Sequence, residues 1–239
     1  MLLDILSGGN IADIIVSLLL SMPVILFALS AHETAHGYVA YKCGDNTAYN
    51  LGRLSLNPLK HIDPVGFGCM LVFGFGWAKP VPINTRNFRN PKRGMALTAI
   101  AGPATNAILG LISALLFGFI SALQVYLAYR GASEFALVAI GYTCDLFSLS
   151  ALYNFVFMAF NLIPINPFDG SRVAMLFLPA KVYFGMMKYE RQIMIGVLVV
   201  LFLLSRFGFS PFSWIAGELT MGIANPVYRL FLNLFSALI

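Results

Sequence analysis

Long uncharged runs dominate the pattern of this chain. From Asp13 to Glu33 no charged residue intervenes, and the apolar character continues to about Tyr41. That is long enough for one spanning helix, which needs about 20 residues, and Pro23 inside it predicts a kink. A second uncharged run covers Gly94 to Tyr129. After a short turn from Arg130 to Glu134, a third goes from Phe135 to about Ile163, interrupted only by Asp145. Pro164, Pro167 and Gly170 then break any helix. Spanning helices are therefore expected near 14–41, 95–128 and 135–163. A fourth run, Gln192 to Ser205, is short but can span if Arg191 and Arg206 snorkel. The tail from Pro211 to Ile239 is apolar but divided by Glu218, Pro226 and Arg229, and the pattern leaves open whether it spans or lies in the interface. Between the first two runs lies a basic, Pro- and Gly-rich stretch, Lys42 to Arg93. Its apolar insert, near residues 65–77, carries Gly66, Gly68, Gly74 and Gly76. That insert is too short and too glycine-rich for a span, so it reads as a re-entrant or β-hairpin insert. The fold class is an all-α polytopic membrane protein with about 4–6 transmembrane helices. Residues 1–180 form its core and residues 181–239 its C-terminal membrane segments.

Composition supports lipid as the solvent. Of 239 residues 59% are hydrophobic and only 10% charged, where a soluble domain carries about a quarter charged. The net charge of +5 does not point to nucleic acid, because the cations are interleaved with apolar runs and serve as topology markers. Lys42 to Arg93 holds eight of them, and the turn after the second run has only Arg130. The segment after the third run has Arg172, Lys181, Lys188 and Arg191. By the positive-inside rule the first and third connections face the cytoplasm and the N-terminus lies outside. Cys43, Cys69 and Cys144 form no CxxC pair, so neither a disulfide framework nor a cysteine metal site is expected. Asp4 and Asp13 precede the first run where a signal peptide has a basic start.

Chemistry concentrates in His32-Glu33-Thr34-Ala35-His36. Histidines four apart share one helix face, one turn from each other, so that two ring nitrogens can grip one metal ion. This is the H-E-x-x-H pattern of zinc metalloproteases, with Glu33 placed to take a proton from a water that zinc acidifies. Ionisable groups at membrane depth are expensive and usually functional. Two ligands are too few, since a catalytic zinc takes three from the protein. His61, the remaining histidine, lies in the basic loop and reads as a loop residue with local hydrogen bonds. The carboxylates near membrane depth are Asp145, Asp169 and Glu218. Asp169 stands out because Pro164, Pro167 and Gly170 break the third span around it, and such backbone must be buried or line a polar cavity. His32 lies about 16 Å from Cys43 along a helix, in the cytoplasmic half of its span. Asp169 and the polar patch Gly102-Pro103-Ala104-Thr105-Asn106 fall near the same depth. Asp145 reads as an interhelical polar pair or as part of a water path supporting the site. Asn154 and Asn161, seven apart, read as interhelical hydrogen-bonding positions.

The order H-E-x-x-H, G-P-x-x-N, N-x-x-P-x-x-P-x-D-G resembles the site-2 protease family of intramembrane zinc metalloproteases, over roughly residues 20 to 180. Gly52 to Pro64 (GRLSLNPLKHIDP) and Gly76 to Val81 (GWAKPV) are similar to its small prokaryotic branch. The chain departs from that pattern at Asn46, where proline is expected, and at Phe168, where leucine is common. The resemblance implies that His32, His36 and Asp169 hold one Zn2+ and that Glu33 is the base. It also implies that Asn106 polarises the scissile carbonyl or holds the substrate backbone. Asn161, Gly74 and Gly76 are supporting or substrate-binding candidates, the glycines as an edge to which an extended substrate adds. The expected substrate is a single-span membrane protein or a signal-peptide remnant in a prokaryotic cell membrane, cut toward the cytoplasmic side by a minimal core without a PDZ-like insert. Two alternatives stay open at this point. One is a metal transporter using the same donors, and the other is a membrane zincin of another class with a glutamate as third ligand.

Overall fold

The computed structural model describes residues 10–73, 76–166, 168–177, 179, 182, 185, 189–207 and 210–237. Among the described residues eight α-helices form in chain order: α1 (Ile11–Cys43), α2 (Thr47–Asn50), α3 (Pro64–Phe73), α4 (Pro91–Tyr129), α5 (Glu134–Asn161), α6 (Asp169–Ala174), α7 (Glu190–Arg206) and α8 (Pro211–Ser236). Their limits follow local chemistry. Asn10 caps α1 by accepting from the Ala12 amide, and Gly44, at φ 112°, closes its far end by donating to the Ala40 and Tyr41 carbonyls. Asn90 and Pro91 start α4, and Ser133 with Glu134 starts α5, placing a cap and then a negative charge at a helix N-terminus.

Three helices are long and apolar enough to cross a membrane: Ile15–Cys43 of α1, all of α4 and all of α5. The packing is inverted relative to a soluble domain. Leu19, Ile108, Leu111, Ile112 and Val138 are exposed, while His32, His36, Thr98, Asn106, Ser113, Asn154 and Thr220 are buried. Water would oppose that distribution and lipid favours it. Of the expected 4–6 spans, these three meet the criterion among the described residues. α7 has 17 residues, and the 26 residues of α8 lie against α4 and α5.

Small residues set the helix spacing. Gly110, Ala114, Gly118 and Ala122 recur every fourth position on α4 and are all buried, as are Ala216, Thr220 and Ala224 on α8. A Cβ on Gly118 would fall inside the carbonyl oxygen of Ala224. Apolar side chains gain little by leaving lipid, so close van der Waals contact holds such helices together. Phe119 packs edge-to-face on Phe231 along the same seam, with centroids 4.7 Å apart.

The insert near 65–77 requires a correction. Residues 64–73 are helical, not one arm of a β-hairpin. Asp63 Oδ1 accepts from the amides of Val65 and Gly66 at 3.0 and 2.8 Å, and Pro64 fills the first helical position. The Asp-Pro pair is thus a helix start. After α3 the chain returns beside the preceding loop through a single antiparallel bridge, Ile62 to Ala78. Gly74 lies outside the described residues. The chain passes α3 so closely here that a Cβ on Gly66 would overlap the Trp77 carbonyl and one on Gly76 the Gly66 carbonyl.

Candidate metal centre

His32 and His36 project from α1 toward α4 and α6 and are both buried. Their rings meet edge-to-face, centroids 4.5 Å apart. The two Nε2 atoms are 2.9 Å apart, and each lies 3.1 Å from Asp169 Oδ2. Donor atoms of the three residues all lie within 4.8 Å of one another, a group able to hold a metal ion. The helix break brings Asp169 there. α5 ends at Asn161, and α6 begins at Asp169 with Gly170 pressed on the Leu162 and Ile163 carbonyls, so closely that a Cβ would overlap them.

The far side of each ring is engaged. His36 Nδ1 donates to the Thr98 carbonyl at 2.6 Å, and His32 Nδ1 donates to Asn106 Oδ1 at 2.5 Å. A neutral imidazole has one N–H. With both protons used at Nδ1, two bare Nε2 lone pairs face each other and a carboxylate oxygen. Three acceptors converging in a buried space form a group suited to hold a cation between them.

The donor set fits zinc. Nitrogen ligands at about 2.0–2.1 Å in a tetrahedron are about 3.4 Å apart, a few tenths of an ångström wider than the spacing found. The room for the ion is kept by Gly102 of α4. A Cβ there would sit 2.5 Å from Nε2 of both histidines.

Glu33 follows His32 and is half-buried, and its Oε2 accepts from the Val81 amide at 2.7 Å. The segment carrying that amide is pinned from both sides. Arg53 donates to the Lys79 carbonyl at 2.8 Å, and fully buried Asp45 accepts from the Asn84 amide at 2.7 Å and Asn87 Nδ2 at 2.8 Å. Burial pushes the Asp45 carboxyl up, but hydrogen bonds from Thr47, Asn84 and Asn87 outweigh it and hold the group below the ordinary carboxylate range. Ser55, whose carbonyl accepts from Thr34 Oγ1 at 2.8 Å and His61 Nε2 at 2.7 Å, ties the same loop to the histidine motif.

Asn161, Asp145 and Glu218 take no part in the donor group, whereas Asn106 stands behind one of its members. Asn161 Nδ2 bonds to the Phe157 carbonyl of its own helix at 3.0 Å. Asp145 is exposed and lines a surface groove with Ser17, Tyr142 and Ser148, and Glu218 is exposed on α8. Asn106, expected at the scissile carbonyl, is fully buried behind His32, with Nδ2 donating to Asn154 Oδ1 at 2.9 Å. Sequence reasoning missed the Thr98 carbonyl and the Val81 amide, since backbone groups leave no residue signature. Gly102 stood inside a recognised motif, but its role needs coordinates.

Apolar helices that enclose two histidines and an aspartate, with a glutamate beside them, have the arrangement of a metalloprotease site built within a membrane protein. The chain belongs to Peptidase family M50, the site-2 protease family, whose family model matches residues 20–205. It is 44% identical over 149 residues to "Putative zinc metalloprotease YwhC" of Bacillus subtilis (strain 168). The match covers 62% of this chain and 64% of that protein, so the chain aligns with less than two thirds of its relative. No solved structure matches. Membership of this family implies zinc.

Proposed function

We propose that the protein is a zinc-dependent intramembrane endopeptidase, with His32, His36 and Asp169 as metal ligands and Glu33 as general base. The observation that carries this is the convergence of two Nε2 atoms and a carboxylate oxygen beside Glu33, with each ring's Nδ1 engaged elsewhere. A zinc ion held there supplies Lewis-acid polarisation of water and of the scissile carbonyl. The Val81 amide fixes Glu33 Oε2, leaving Oε1 to take a proton from the attacking water and pass it to the leaving nitrogen. Asn106, with both ends of its amide engaged, holds His32 instead of meeting the substrate.

The substrate is a single-span membrane protein or a signal-peptide remnant, cut near the cytoplasmic face. Supporting that depth, the histidines lie toward the Cys43 end of α1, where eight of the chain's cations follow between Lys42 and Arg93. α8, seated on α4 and α5 through small residues, is a fourth membrane helix in this reading.

The test is a comparison of membrane fragments by mass spectrometry between cells carrying the active protein and Glu33→Gln, with zinc content measured on both purified proteins. Loss of specific fragments with zinc retained is expected. Identical fragments in both cells would overturn the assignment of Glu33.

A further inference from the structure

The amides behind His32 form a hydrogen-bond chain with one direction. It starts at the backbone carbonyl of Ser150 on α5, which can only accept, and Asn154 Nδ2 donates to it at 2.8 Å. Asn154 Oδ1 is thereby turned toward α4, where it accepts from Asn106 Nδ2 at 2.9 Å. Asn106 Oδ1 then faces His32 Nδ1 at 2.5 Å and requires the ring proton there. His32 Nε2 is left with its lone pair toward Asp169. Both asparagines are 1% exposed or less, so water cannot substitute for either partner.

We propose that Asn154 is a positioning residue for the metal centre, setting the tautomer of His32 through Asn106 and so its capacity to bind the ion. The inference rests on His32 being a metal ligand. Little besides Asn154 orients Asn106, because the other bond from Nδ2, to the Ala28 carbonyl, is 3.5 Å long. Without the Asn154 acceptor the Asn106 amide is free to turn over and point Nδ2 at His32. The single ring proton then resides on Nε2, where it blocks the ligating position. His36 is not exposed to this failure, because it donates to a backbone carbonyl, Thr98, that no side-chain change can reverse. The amide pair therefore controls one ligand selectively, from two helices, α4 and α5, that supply no ligand themselves.

The experiment measures zinc affinity of the purified full-length protein in detergent by competition with a chromophoric chelator. The absorption spectrum of the cobalt-substituted form and thermal unfolding are recorded beside it. Asn154→Leu is expected to bind zinc about 10–100-fold more weakly, with a changed cobalt spectrum and its helical content kept. Asn154→Ala removes the same acceptor in a second background and is expected to agree. Adding Asn106→Asp to Asn154→Leu should restore affinity, because a carboxylate presents an oxygen to His32 Nδ1 whichever way it turns. A purely structural role would lower the unfolding temperature of the single variants and leave zinc affinity unchanged. Wild-type affinity in both single variants, or no recovery in the double variant, overturns the proposal. Failure of the metal reading itself has a different signature: wild-type protein without zinc, or His32→Ala with wild-type zinc affinity.

Discussion

Gly102→Ala adds one methyl group at the most confined point of the molecule. Its carbon would lie 2.5 Å from Cε1 and Nε2 of His32 and from Nε2 of His36, where ordinary contact begins at 3.4 Å. The overlap is therefore about 0.9 Å against both rings at once. Neither ring can swing aside without breaking its Nδ1 bond to Asn106 or Thr98. Either α4 backs away or one imidazole moves by nearly an ångström, whereas metal–ligand distances tolerate about 0.2 Å. Overpacking of this kind costs about 1–3 kcal/mol, and alanine's better helix propensity returns up to about 1 kcal/mol. With the full return, global stability falls by about 0–2 kcal/mol. Zinc affinity, losing a ligand, should fall at least about 100-fold, or about 2.8 kcal/mol at 1.4 kcal/mol per tenfold. Chelator competition reads the affinity, and circular dichroism melts read the fold. Gly222→Ala on α8 is the control, since nothing lies within 4 Å of its added carbon; it should leave zinc affinity unchanged and raise stability by no more than the helix-propensity gain of about 1 kcal/mol. A Gly102→Ala protein with wild-type zinc affinity would refute the reasoning about the space in front of the histidines.

Asp45→Ala removes the acceptor shared by Thr47, Asn84 and Asn87 and should destabilise the protein by about 2–3 kcal/mol in thermal unfolding at neutral pH. Because folding lowers the Asp45 pKa, its stabilisation is complete above the ordinary carboxylate range. It fades as pH falls through the folded value, so the gap between wild type and variant should close in acid and stay constant from pH 6 to about 8. A gap that widens in acid would contradict the direction of the shift. Gly118→Leu drives a side chain into the Ala224 carbonyl and should expose the α4/α8 seam to proteolysis. Zinc binding should persist, because position 118 is about 24 Å along the helix from Gly102.

Much of the site was legible in order along the chain. The four-residue spacing of His32 and His36, the proline and glycine break around Asp169, and the uncharged runs each follow from rules that act over a few residues. Those rules concern helix period, missing amides and transfer into lipid, and they need no partner element. Family motifs added Asn106 but suggested a role at the substrate, whereas its neighbours in space, His32 and Asn154, come from positions 74 residues before it and 48 after it.

By itself the sequence determined the apolar helices and the histidine pair on one face of α1, and the family resemblance singled out Asp169 as the candidate third donor. The tertiary structure alone decided which atom of each histidine is free, because that depends on whether the facing group donates or accepts. It also decided that residues 64–73 coil into a helix on an Asp-Pro start, that the Val81 amide holds Glu33, and that Gly102 keeps the space for an ion. Hydrogen-bond direction and steric clearance are properties of pairs of distant groups, and they take definite values only once the helices have packed.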